Sequence, residues 1–204
     1  STAGAFADQA TAPQARIVVS ALSSGGGFVF AFNTIDATYG TRPDGWWCCA
    51  LNNVTLWTPS VASQATTGRL LGAEGAITAA IKFGSDRVVA FKADSTYVGT
   101  YVGPPTAWAW TEIPKYGCIG PDAVADLGTI LFVVGKDDIF MFDGARPIPI
   151  SDDSVRLWFN ANCSGTYRNR TLVVHDQQND TVRVYFVSTG SSTGTRDRCL
   201  VYHL

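Results

Sequence analysis

The run Gly190-Ser191-Ser192-Thr193-Gly194 matches the five-residue pattern of a hydrolase nucleophile elbow, with Ser192 in the attacking position. That chemistry needs a strand before the serine and a helix after it, so that a strained turn lifts the hydroxyl above an α/β sheet. Here the run lies between two strand-like segments, and a Ser/Thr/Gly hairpin loop accounts for it. Asp137, Asp138 and Asp143 form a local acidic set of the kind that transfers protons or holds calcium. Asp137-Asp138 falls at a turn, and Asp143-Gly144 is itself a turn dipeptide, so hairpin geometry explains all three. His175 and His203 stand apart, without partners at metal-ligand spacing. No metal or cofactor site is expected, and the chain reads as non-enzymatic.

The five cysteines, Cys48, Cys49, Cys118, Cys163 and Cys199, are odd in number and irregularly spaced. Disulfide frameworks belong to small secreted domains that lack a sufficient core. These thiols are therefore read as reduced and mostly buried, with adjacent Cys48 and Cys49 on opposite faces of a strand. A net charge of -2 and the absence of any Lys/Arg run argue against a module that grips phosphates. No apolar stretch reaches the roughly 18 to 20 residues of a membrane span.

Positioning elements must be strands. Glu occurs only at Glu74 and Glu112 and Met only at Met141, while Val, Thr, Tyr, Phe and Trp abound. Polar corners recur at Asn52-Asn53, Asp94-Ser95, Asp137-Asp138 and Asn179-Asp180, spaced 42, 43 and 42 residues apart. Each is flanked by apolar and β-branched runs, which is the pattern of a hairpin. Segments 77–83, 107–113, 123–127 and 147–150 supply further strands. A unit of about 42 residues with about four antiparallel strands is the signature of a propeller blade, whose faces are buried only by stacking. The fold class is therefore all-β, a β-propeller in part or whole, with a sandwich of ordinary hairpins as the rival. Residues 1–15 read as an N-terminal connection and 16–204 as the repeats, a segment of a longer protein. Residues 151–159 break the pattern as a short helix, with Ser151 or Asp152 as its cap and Val155, Trp158 and Phe159 on one face.

Trp46, Trp47, Trp108 and Trp110 are expected to be exposed, and Pro104-Pro105 stiffens the loop that leads to the last two. These six residues are the candidate interface, since aromatic side chains are enriched where proteins meet. Tryptophans can also stack on sugar rings, which makes a carbohydrate- or receptor-binding module the second reading. The Ser-x-Asp-x-Gly-x-x-Trp boxes of sialidases, Trp-Asp repeats and paired-Gly kelch signatures are all absent.

Val89-Ala90-Phe91, Ser95 with Tyr97, Tyr101-Val102-Gly103, Gly117 to Pro121 and Gly135 to Phe140 are followed by Phe142-Asp143-Gly144-Ala145-Arg146-Pro147-Ile148-Pro149-Ile150-Ser151. Together they resemble bacteriophage tail and DNA-stabilisation proteins, including the propeller-bearing hub and nozzle proteins of short-tailed phages. The likeness covers under half of the chain closely. It implies a structural virion protein in the tail, assembled in the bacterial cytoplasm as a homo-oligomeric ring. Its implied partners are other tail or portal proteins, with packaged double-stranded DNA nearby and no membrane anchor. Their motifs encode turns and packing, so no catalytic residue carries over.

Overall fold

A computed structural model describes residues 11–204, which form four antiparallel sheets and one α-helix. The first sheet holds β1 (Gln14–Ser23), β2 (Gly26–Asp36), β3 (Gly40–Cys48) and β4 (Thr66–Arg69). The second holds β5 (Ala79–Lys82), β6 (Arg87–Phe91), β7 (Ser95–Gly103) and β8 (Ala107–Pro114). β9 (Val124–Asp126), β10 (Leu131–Val134), β11 (Ile139–Phe142) and β12 (Pro147–Pro149) make the third. Helix α1 (Asp153–Asn162) leads to the fourth, of β13 (Leu172–Asp176), β14 (Thr181–Phe186) and β15 (Arg198–His203). Strands follow chain order within every sheet, so each is a meander.

The all-β expectation holds, and three of the four polar corners join paired strands: β6 to β7, β10 to β11, and β13 to β14. Asn52-Asn53 does not. It lies in the long connection from β3 to β4, where Asn52 accepts from the Gly27 N–H at 2.7 Å and donates its own N–H to Gly27 O at 2.8 Å. Residues 54–57 form no strand because local bonds, Ala50 N–H to Leu56 O among them, take up the backbone. The first sheet instead begins with a hairpin whose two-residue turn is Ser24-Gly25, since Ser23 pairs with Gly26. Of residues 1–15, read as a connection, Gln14 and Ala15 already belong to β1, while 1–10 lie outside the described residues.

Burial on one face or two decides the residue pattern of each sheet. After the exposed Arg87, β6 is apolar at every position because its alternate residues enter different cores. Val88 and Ala90 face the first sheet, whereas Val89 and Phe91 face the third. All four residues of β10 are likewise buried, with a sheet on either side. β1 shows a one-sided pattern instead: Ile17, Val19 and Ala21 pack inward, while Val18 and Leu22 stay exposed. Successive sheets meet through their first strands, with β1 against β5, β5 against β9, and β9 against β13.

The contact between the first two sheets is aromatic. Phe28, Phe30, Phe32 and Trp46 meet Tyr101, Trp108 and Trp110, with Phe30 edge-on to Trp108 at 4.8 Å between centroids. Glycine makes room for two of these rings on the facing strand. Trp46 is paired with Gly68 and Trp110 with Gly99, and an added Cβ would stand 2.9 Å and 2.8 Å from the respective rings. Edge-to-face geometry suits the ring quadrupole and adds to area burial.

Trp108→Ala should therefore cost about 3–5 kcal/mol of folding stability, read as a lower denaturation midpoint. Thr106→Ala, in the exposed β7–β8 turn, should change it by under about 0.5 kcal/mol.

Candidate functional site

Three of the expected surface tryptophans are core residues. Trp46, Trp47 and Trp108 are 5%, 7% and 2% exposed, and Trp110 is half-buried. Trp46, Trp108 and Trp110 fill the seam between the first two sheets. Trp47 faces the other way, packed with Trp57, Ala31 and Cys49 under the 49–65 segment. The buried rings present no face on which a sugar could stack. Their exposure was misjudged because alternation along a strand assigns faces without saying whether another sheet covers them. Pro104 and Pro105 alone of the six candidates are on the surface, at the β7–β8 turn.

The other chemistry-bearing residues disperse. Asp137 and Asp138 sit at one end of β11 and Asp143 at the other. Asp143 accepts from the Ala145 and Arg146 N–H groups at 2.9 and 2.8 Å, which hold its carboxyl below the usual range. Asp138 accepts from the Ser151 hydroxyl and the Ile139 N–H. Ser192 lies in the loop from β14 to β15, where Arg170 donates to Gly194 O at 3.0 Å. His175 and His203 lie on β13 and β15. Among the described residues, no three His, Cys, Asp or Glu side chains gather to hold a metal ion. All five cysteines are free and only Cys199 is exposed. Cys48 packs in the seam and Cys49 on the opposite face, as their adjacency on a strand requires. Burial pushes the Cys118 thiol up to about 12 and raises Cys48 further, so both stay protonated.

One polar constellation escaped the sequence reading. Lys92, 1% exposed, closes the apolar run of β6 and donates from Nζ to Ala73 O, 5.7 Å from the centre of the Tyr97 ring. The Tyr97 hydroxyl accepts from Ala73 N–H at 2.8 Å and donates to Glu112 at 3.0 Å. Both backbone polar groups of one linker residue, Ala73, are thus held by the second sheet and its flank, next to the ion pair of Arg69 with Asp44 at 2.8 Å. Burial lowers the Lys92 pKa, partly offset by Asp44 and Glu112. Burial would raise Asp44, but hydrogen bonding and charge from Arg69 outweigh it and hold the carboxyl low. The signal in the sequence was a lysine directly after four apolar strand residues. With the amine enclosed, the arrangement clamps the connection between sheets.

An apolar cavity of about 250 Å³ lies between the third and fourth sheets, lined by Phe132, Ile139, Val184, Leu200 and Tyr202 beneath the start of α1. Its polar neighbours are engaged, Asp152 capping the helix through Val155 N–H at 2.8 Å and Ser151 donating to Asp138. On α1 only Phe159 is buried, while Val155 and Trp158 are about 40% exposed. No helix among the described residues is long and apolar enough to cross a membrane. No protein-family model matches the chain, and no curated protein matches it.

The clamp sets a pH dependence. Asp44 is depressed in the fold, so its contribution is present above the ordinary value of 3.8 and lost as pH falls through the folded value. The stability difference between wild type and Arg69→Met should be largest at neutral pH and shrink as Asp44 protonates. Lys92 is also depressed, so below the ordinary 10.5 the unfolded chain binds more protons and stability rises with pH through that window. Lys92→Met should remove the rise. Chemical denaturation at a series of pH values measures both.

Proposed function

We propose that the four sheets are consecutive blades of a β-propeller segment, and that the chain is a structural part of a bacteriophage tail. The carrying observation is the series of first strands, β1 to β5 to β9 to β13, with each meander running away from that line. A propeller arranges its blades this way, first strands inward and flat faces against neighbours. The rival sandwich needs two sheets facing one another, whereas the second and third sheets here have a neighbour on each side.

The tail assignment draws on the resemblance of 142–151, which spans the β11–β12 turn and the approach to α1. In such a part the work is mechanical: rigid stacked sheets hold neighbouring proteins in register around packaged DNA. A charge of -2 suits a wall beside the phosphate backbone, where tight electrostatic binding would hinder passage. Contacts with other tail proteins fall to exposed turns, the Pro104-Pro105 turn with half-exposed Val102 among them.

Deleting the coding sequence from the phage that carries it should yield particles that leak DNA or lack a complete tail, with a sharp loss of infectious titre. Normal, infectious particles lacking the protein would overturn the assignment.

A further inference from the structure

The seams between successive sheets are not filled alike. Between the first and second, the rings of Trp46, Trp108 and Trp110 close the space. Between the third and fourth, the strands meet along β9, β10 and β13, and farther out side chains bridge the gap, Phe132 to Tyr202 at 5.7 Å between ring centroids. Phe132 and Ile139 reach in from one sheet and Val184, Leu200 and Tyr202 from the other, where Leu200 pairs with Val184 and Tyr202 with Val182 on a single face. Helix α1 closes part of the opening. Its second half is anchored, with Trp158 and Phe159 against the Phe186 ring at 6.1 and 5.1 Å, whereas from its first half Val155 lines the cavity's edge. The apolar cavity of about 250 Å³ is the space that remains, open beside the exposed Val201.

Native interiors hold few voids larger than a water molecule, and the lining of an unfilled apolar cavity forfeits dispersion contacts. A hydrocarbon body placed there restores them. An apolar cavity of roughly 150 Å³ holds benzene, so about 250 Å³ suits one aromatic ring on a short tether.

The mouth decides the charge of the occupant. Its lining includes Asp152 and, among the described residues, no Lys, Arg or His. Asp152 Oδ1 accepts from the Val155 N–H at 2.8 Å and the Ser154 hydroxyl at 2.7 Å, while Oδ2 has no hydrogen-bond or ion-pair partner among the described residues. Those two bonds hold the carboxyl below its usual range, so it is ionised at neutral pH. Arg156 of the same helix is taken up by Asp153 at 2.6 Å. A helix N-terminus attracts anions, but Asp152 already occupies this one and repels a second negative group. Asp138 stands behind Ser151, whose hydroxyl donates to it, and adds to the negative potential.

We propose that the cavity between the third and fourth sheets binds a small amphipathic cation, an aryl- or alkylammonium whose hydrocarbon part lies against Phe132, Ile139, Val184, Leu200 and Tyr202 and whose ammonium group meets Asp152. The Phe132 and Tyr202 rings also favour a cation over an anion. The site is complete within one chain and is independent of the tail assignment.

Three probes of similar shape test the site: 2-phenylethylamine, 2-phenylethanol and phenylacetate, which are positive, neutral and negative at neutral pH. Titrated into the full chain and followed by NMR, the amine should shift the methyl signals of Ile139, Val184 and Leu200 saturably, with a Kd on the order of 1 mM. It should bind about two- to fivefold more tightly than the alcohol, the range of an exposed ion pair, and phenylacetate should bind more weakly than either. Asp152→Asn keeps the helix cap and should bring the amine and the alcohol to equal affinity. Leu200→Trp, which fills the cavity, should abolish the shifts for all three. Should that variant not fold, the map of shifted residues in the unaltered chain still locates the site. Shifts away from the lining, absence of saturation, no preference for the amine, or a preference that survives Asp152→Asn would overturn the proposal.

Discussion

Every β-sheet here has two faces, and a neighbouring sheet in the chain hides at least one of them. From that constraint the residue pattern follows. Where a sheet lies between two others, its second strand carries an unbroken apolar run, as in Val88-Val89-Ala90-Phe91 and Leu131-Phe132-Val133-Val134. Where it lies at an end, apolar and polar residues alternate, as in Val182-Arg183-Val184-Tyr185-Phe186. Hydrophobic burial scales with area, so the largest single stake is the aromatic seam between the first two sheets. There the rings interlock edge to face, and glycines on the paired strands create the space.

Apolar stacking is not directional enough to hold one sheet at a defined angle to the next. The buried polar contacts supply direction. Lys92 and Tyr97 grasp both backbone groups of Ala73 in the connection from the first sheet to the second, and Thr78 of the same connection donates to Cys118 O at 2.7 Å, on the approach to the third. A buried lysine is costly without partners. It persists because the carbonyl, the Tyr97 ring and two nearby carboxylates together replace much of its water.

The second, third and fourth sheets were legible because their hairpins carry conventional signals: β-branched runs, a polar corner, and a return strand. The strands over 79–82, 107–114, 124–126 and 147–149, and the helix capped by Asp152, also lie where residue type alone places them. The first sheet was obscured by a coincidence. Asn52-Asn53 has the residues of a hairpin corner at the spacing of one, yet Asn52 serves to fasten the β3–β4 connection onto Gly27. The true hairpin, Ile17, Val19 and Ala21 opposite Phe32, Phe30 and Phe28 across Ser24-Gly25, was written as plainly but carried no Asn or Asp at its turn. The tryptophans failed for another reason: which face of a strand a residue occupies is local, whereas what covers that face is a property of the neighbouring sheet. Trp46 and Trp47 are adjacent, and each needed a different remote partner, Trp110 for one and Trp57 for the other.

The same logic separates what this chain can do with its interior from what it can do with its surface. The titratable groups that come together inside, Lys92, Asp44 and Arg69, are consumed by holding peptide units and one another. Asp138 and Asp143 at their turns are likewise engaged with backbone N–H groups, and the buried thiols are held protonated. Surface chemistry is different in kind: aliphatic side chains such as Val18, Leu22, Leu71, Val102, Val174 and Val201 stay exposed. The interactions that build the fold are therefore one physical contact, sheet face on sheet face, repeated from each sheet to the next along the chain.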